Sequence, residues 1–111
     1  MAITRIHHDE NYTCVSNEIG RDKNLSFKAK GLLYYMLTCK DDWDFSIQGI
    51  CSMGSDGYES VRTGLIELEK AGYLKRTNIR EFNRIIDVQY DIYETSQGID
   101  FYSERNKDKT E

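Results

Sequence analysis

The spacing of apolar side chains predicts a helix that begins after Ser26 and ends near Cys39 or Lys40. Its apolar residues recur at positions that share one helical face: Ala29, Leu32, Leu33, Met36 and Leu37. Serine is a favoured N-cap because its hydroxyl accepts a hydrogen bond from a backbone N–H of the first turn. The stripe indicates that this helix packs against a core. Upstream, residues 12–19 are expected to form a short strand or a turn.

A second, shorter helix is expected at residues 47–53, with Ser46 as its N-cap. Just before it, Trp43 and Phe45 are expected to anchor a loop or very short strand in the core. Glycines at 54 and 57 predict a tight turn after the helix, since glycine permits the positive φ angles that such turns use.

A third helix is expected at residues 58–71. Its buried face carries Val61, Leu65 and Leu68. Asp56, followed three positions later by Glu59, resembles a capping box in which aspartate takes the hydroxyl role. Gly72 stands where a left-handed residue commonly ends a helix.

Two strands follow, at residues 73–79 and 86–92. In the second strand one set of alternate positions is apolar: Ile86, Val88, Tyr90 and Ile92. Alternation with period two predicts one buried and one solvated face. Residues 80–84 are expected to form the hairpin loop. The predicted fold is α+β, a winged helix-turn-helix with a three-helix core and a C-terminal β-hairpin wing.

The polarity of the two ends sets the expected domain limits. Residues 1–11 are expected to form a polar arm, residues 12–94 the winged helix-turn-helix domain, and residues 95–111 a polar tail.

Composition narrows the class of protein. The chain has 111 residues, 39% hydrophobic and 31% charged, a balance typical of one globular domain. No apolar run is long enough to span a bilayer and residues 1–10 lack the apolar stretch of a signal peptide, so we expect a cytoplasmic protein without a membrane partner. The net charge of −4 is unfavourable for DNA binding, although charge clustering matters more than the total.

Catalysis, metal binding, cofactors and small-molecule substrates are not expected. The three cysteines show no C-x-x-C spacing and are expected to be buried, reduced thiols: Cys14, Cys39 and Cys51. His7 and His8 lie far from them along the chain, whereas zinc needs four ligands. The other acidic cluster considered is Asp41, Asp42 and Asp44. It lies in one loop, and the sequence has no phosphate-binding loop, nucleophile elbow or H-E-x-x-H motif.

The order of predicted elements points to double-stranded DNA as the partner. In a helix-turn-helix the N-terminal part of the second helix reaches base edges in the major groove, and a wing contacts the backbone or the minor groove. The expected DNA-binding residues are Ser55, Tyr58, Glu59, Arg62, Thr63, Lys75, Arg76, Arg80 and Arg84. Lys23, Lys28 and Lys30, near the start of the first helix, are additional candidate phosphate contacts, although a solvated polar loop is the more ordinary role for them.

Three segments resemble a family of replication proteins: residues 21–33 (RDKNLSFKAKGLL), 43–46 (WDFS) and 67–76 (ELEKAGYLKR). The family comprises the N-terminal winged-helix domains of phage replisome organisers and plasmid replication initiators, which are DnaD-like. The resemblance covers residues 12–94 and implies a DNA-binding module of phage or mobile-element origin. It also implies a homo-oligomer, such as a dimer, that acts in DNA replication initiation with a replication helicase or its loader.

Two other functions remain open on the sequence. A transcriptional regulator would use the same module. A winged helix that mediates only protein interaction or oligomerisation would explain the net acidity, the glutamates of the third helix and the many tyrosines.

Overall fold

The computed structural model describes residues 12–39 and 43–106. The expected arm at 1–11, Asp41 and Asp42, and the end of the tail at 107–111 lie outside the described residues. The described part is α+β, with five helices and a two-stranded antiparallel hairpin. The elements are α1 (Asn17–Arg21), α2 (Phe27–Leu37), α3 (Ile47–Cys51), α4 (Tyr58–Ala71), β1 (Leu74–Glu81), β2 (Arg84–Ile92) and α5 (Phe101–Asn106).

Serine caps define the first helices. Ser26 Oγ accepts a hydrogen bond from Ala29 N at 3.1 Å, and α2 starts at the next residue, as expected. Ser16 Oγ accepts from Glu18 N at 3.2 Å and starts α1. The prediction of a strand or turn at residues 12–19 is therefore wrong for its second half, which is helical. The serine cap and the buried side chain of Ile19 are sufficient to form this short helix.

Helices α3 and α4 form the expected pair, with one difference at the start of α4. Ser46 Oγ accepts from Gly49 N at 3.0 Å. The N-cap of α4 is Gly57, which has no side chain, so the expected capping box is wrong. Asp56 Oδ2 instead accepts from the hydroxyl of Ser60 at 3.2 Å. Gly72 ends α4 with φ of 87°, as predicted.

The core lies between α2, α3, α4 and the first residues of β1. Its buried side chains are Ile19, Leu25, Ala29, Leu33, Met36, Phe45, Ile50, Val61, Leu65, Leu68, Tyr73 and Leu74. Gly64 lets α2 and α4 approach closely, because a Cβ there would collide with Cδ1 of Leu32. Trp43 was expected in this core, but it is 48% exposed. Residues 43–46 form no strand, and Phe45 alone packs inward, with its ring 5.6 Å from that of Tyr90.

The hairpin is longer than the pattern indicated. Leu74 pairs with Ile92 and Glu81 with Arg84, so only Phe82 and Asn83 remain in the turn. The register shifts between Ile79 and Arg80. This bulge disturbs the alternation near the turn, and Ile86, which was expected to be buried, is 58% exposed.

The segment expected to be a polar tail packs onto the domain as far as residue 106. Phe101 is buried at the start of α5. Gln97 N donates to the carbonyl of Gly72 at 2.9 Å, and Ser96 Oγ donates to that of Ala71 at 2.5 Å. The end of α4 is thus capped by residues more than 20 positions away, which no local pattern indicates.

The three cysteines are free, but the expectation that they are buried is wrong for Cys14, which is exposed. Cys39 and Cys51 are partly buried.

Candidate nucleic-acid interface

The N-terminal half of α4 presents a polar surface. Tyr58, Glu59 and Thr63 are exposed and Arg62 is partly exposed. Arg62 donates to both carboxylate oxygens of Glu59, at 3.1 and 3.0 Å. These hydrogen bonds, and the opposite charges, lower the pKa of Glu59 and raise that of Arg62. The pair is therefore ionised and close to neutral overall.

Helix α2 adds a cation to this surface. Lys28 Nζ donates to Thr63 Oγ1 at 2.9 Å. The sequence indicated Lys28 only as an additional candidate contact. It is 35 positions from Thr63, so no local pattern predicts that the two side chains meet. Lys30 is turned elsewhere and donates to the carbonyl of Gly20 at 2.9 Å. We define the helix patch as Lys28, Tyr58, Glu59, Arg62 and Thr63.

The other two glutamates of α4 have structural partners. Glu67 Oε2 accepts from Ser26 N at 2.5 Å and its Oε1 accepts from Ser26 Oγ at 2.9 Å, so it holds the start of α2. Glu69 is fully buried and paired with two arginines. The glutamates of α4 therefore repel the phosphates of a nucleic acid less than the sequence indicates.

The internal ion pair of Arg76 argues against its predicted role as a DNA-binding residue, although the residue also lines the groove described below. Arg76 is 8% exposed and donates twice to Glu69 Oε1, at 3.0 and 2.5 Å. Burial lowers the pKa of Arg76, but the hydrogen bonds and charge of Glu69 outweigh this and the net shift is upward. Arg105 from α5 completes the cluster with hydrogen bonds of 2.9 and 3.2 Å to Glu69.

The exposed cations of the hairpin fall into two groups. Lys75 is exposed near α5, with its Nζ 6.0 Å from the centre of the Phe101 ring. Arg80 and Arg84 are exposed beside the turn, and neither has an ion-pair partner among the described residues. The register places Arg80 opposite Ile85 and Arg84 opposite Glu81, so the two arginines lie on opposite faces of the hairpin.

An open groove of about 430 Å³ connects the hairpin with the starts of two helices. Tyr58 lines it from α4, Ser46 and Gln48 from the start of α3, and Ile85 and Ile86 from β2. The groove brings the first residue of α4 and the end of the hairpin to one side of the molecule. Ser55 is exposed in the turn just before α4.

Helix α5 borders the helix patch, which the sequence did not indicate. Tyr102 lies close enough to Arg62 to act on it electrostatically. The ring of Tyr102 also lies 5.3 Å from Lys70 Nζ and 5.6 Å from the guanidinium of Arg105. Helix α5 therefore flanks the C-terminal half of the outer face of α4 at Lys70, and its Arg105 lines the groove beside Tyr58.

A metal-binding cluster and a membrane-spanning helix are both absent from residues 12–39 and 43–106. In these ranges no group of three or more His, Cys, Asp or Glu side chains is arranged to hold a metal ion. No helix in the same ranges combines the length and apolar character needed to cross a membrane.

Comparison of the chain with protein-family models, with curated proteins and with solved structures finds no match.

Proposed function

We propose that this chain is a winged helix-turn-helix module that binds double-stranded DNA, with α3 and α4 as the helix-turn-helix and the hairpin as the wing. The observation that carries the proposal is the common groove of Tyr58 and the hairpin residues Ile85 and Ile86. It supports a single binding side, on which the start of α4 enters a major groove and the arginine-bearing hairpin reaches the adjacent backbone.

The charges support weak binding that depends strongly on salt. Glu59 offsets Arg62 within the helix patch, so Lys28, Arg80 and Arg84 supply most of the attraction to phosphates. A module with so few free cations gains from two copies on one duplex, since the second contact is then intramolecular. We therefore propose that it works as a homo-oligomer.

The test is the salt dependence of affinity for a short duplex, measured by fluorescence anisotropy. Each phosphate contact contributes about 0.9 to the slope of log K against log salt. The Arg80→Ala, Arg84→Ala double variant should therefore lose about 2 from the magnitude of the slope. A control variant, Arg21→Ala, removes an exposed cation at the end of α1, outside the helix patch and the hairpin, and should leave the slope unchanged. Wild type that binds no duplex at low salt would contradict the proposal. So would an Arg80→Ala, Arg84→Ala variant whose slope equals that of wild type.

The resemblance of residues 12–94 to replisome organisers and replication initiators supports a role in starting DNA replication, with a helicase or its loader as a further partner. A transcriptional regulator would bind DNA in the same way. Neighbouring genes that encode a helicase loader or a single-strand-binding protein would favour replication. A gene that lies beside a regulated promoter and lacks such neighbours would favour transcription.

A further inference from the structure

The turn of the hairpin combines two unfavourable features in one residue. Phe82 is 90% exposed, and its φ is +52°. Asn83 follows with φ of +66°, so both turn residues are left-handed, as in a type I′ turn. Asparagine tolerates this conformation and glycine prefers it, whereas a bulky aromatic residue rarely adopts it. Folding stability explains neither the backbone of Phe82 nor its exposure.

More apolar surface surrounds the turn. Ile79, Ile85 and Ile86 are all substantially exposed on the adjoining strand ends. Exposed apolar groups in one place, as opposed to scattered ones, mark surfaces that bind something. We define the hairpin tip as Ile79, Arg80, Phe82, Arg84, Ile85 and Ile86.

The charge at the hairpin tip indicates the class of partner. Within residues 79–86 the charged side chains are Arg80 and Arg84 against Glu81, whereas the rest of the hairpin carries Lys75 and the internally paired Arg76 against Asp87 and Asp91. This local excess of positive charge occurs in a chain of net charge −4. The tip is complementary to a partner that has phosphates on both sides of an apolar slot. The minor groove of DNA has that form where two stacked base pairs separate.

We propose that Phe82 acts as a wedge that inserts between base pairs from the minor groove, with Arg80 and Arg84 bound to the phosphates on either side. This inference rests on the proposed DNA-binding function and adds to it a way of deforming the duplex. Insertion of an apolar side chain unstacks a base step and bends the helix, and it is easiest at flexible pyrimidine–purine steps. The left-handed backbone places the ring at the apex of the hairpin, where it precedes the rest of the tip into the groove.

The test uses a duplex with 2-aminopurine at a central pyrimidine–purine step and a fluorophore pair on its ends. Wild type should increase the 2-aminopurine fluorescence by unstacking it and should bring the ends closer. Phe82→Asn should lose both signals and bind about five- to tenfold more weakly, as expected for one lost stacking contact. Its salt slope should match that of wild type, because no charge is removed. Its Tm should rise by a few degrees, because asparagine tolerates the turn better.

Phe27→Asn is the matched control, since Phe27 is 87% exposed at the start of α2, away from the hairpin. It should leave the 2-aminopurine and end-to-end signals unchanged. Phe82→Leu should retain part of both signals, because leucine also serves as an apolar wedge.

The outcomes separate the two proposals. Absence of duplex binding by wild type would overturn the DNA-binding function and the wedge together. Salt-dependent binding by wild type, with no 2-aminopurine signal or with equal signals from Phe82→Asn, would overturn the wedge alone. A third outcome is that wild type self-associates without DNA, that Phe82→Asn is monomeric, and that its DNA affinity falls only as much as the loss of self-association explains. The tip would then be a contact between copies, and the wedge would be overturned.

Discussion

Replacing Glu69 by glutamine should be the most destabilising single polar substitution among the described contacts. Glu69 is 0% exposed and accepts four hydrogen bonds, two from Arg76 on β1 and two from Arg105 on α5. The carboxylate therefore joins α4, the hairpin and α5 in one buried cluster. Glutamine keeps the shape but removes the charge, and its amide nitrogen has no acceptor on either guanidinium.

Removing one partner of a buried ion pair costs about 3–5 kcal/mol, because the remaining charge stays desolvated without compensation. The unfolding entropy of a chain of 111 residues is about 0.23 kcal/mol/K near its midpoint. The Tm of Glu69→Gln should therefore fall by roughly 13–21 °C. Arg76 carries most of this cost, since Arg105 is closer to solvent.

Thermal and urea unfolding followed by circular dichroism measure the effect, with Glu94→Gln as an exposed control expected within about 0.5 kcal/mol of wild type. The combined variant Glu69→Leu, Arg76→Met, Arg105→Leu should recover much of the loss, because it removes every buried charge at once. A Glu69→Gln variant within about 1 kcal/mol of wild type would refute the reasoning. So would a combined variant as unstable as Glu69→Gln.

Two further substitutions test the interface and the core. Glu59→Gln should release Arg62 and raise the affinity for duplex DNA at least about threefold, with the salt slope steeper by about 1; unchanged anisotropy titrations would contradict this. Tyr73→Phe should cost about 1 kcal/mol at neutral pH, because it removes the 2.8 Å hydrogen bond from the phenol to Asp22 Oδ2. Burial, reinforced by that bond, raises the pKa of Tyr73, so the folded state favours the neutral phenol. Its contribution is complete below pH 10 and is lost as the pH rises further, and urea titrations should show a smaller alkaline loss in the variant.

Local patterns were sufficient where the interactions are local. The N-caps Ser26 and Ser46 bond to backbone within three residues, and the φ of Gly72 depends on its lack of a side chain. Helix α4 was predicted with the bounds that the structure has, because its apolar period and its glycine end are both contained in the sequence. The capping box failed because Gly57, which follows Asp56, occupies the N-cap position.

The candidate site was predictable only in part. The sequence indicated exposed positions on α4 and arginines on the hairpin, and Tyr58, Thr63, Arg80 and Arg84 are indeed exposed. It did not separate Arg76 from the other cations of the hairpin, because the partner that holds Arg76, Glu69, lies on another element and meets it only through packing.

The sequence by itself determined the α+β class and the order of α2, α3, α4 and the hairpin, since periodicity, caps and turn residues act over a few positions; it did not predict α1 or α5. Only the tertiary structure decided which charges are free. Glu69 meets Arg76 and Arg105 across 7 and 36 positions, and Lys28 meets Thr63 across 35. Such pairings depend on how helices cross and where strands lie. The packing therefore assigned Arg76 to the interior and left Arg80, Phe82 and Arg84 exposed on the wing.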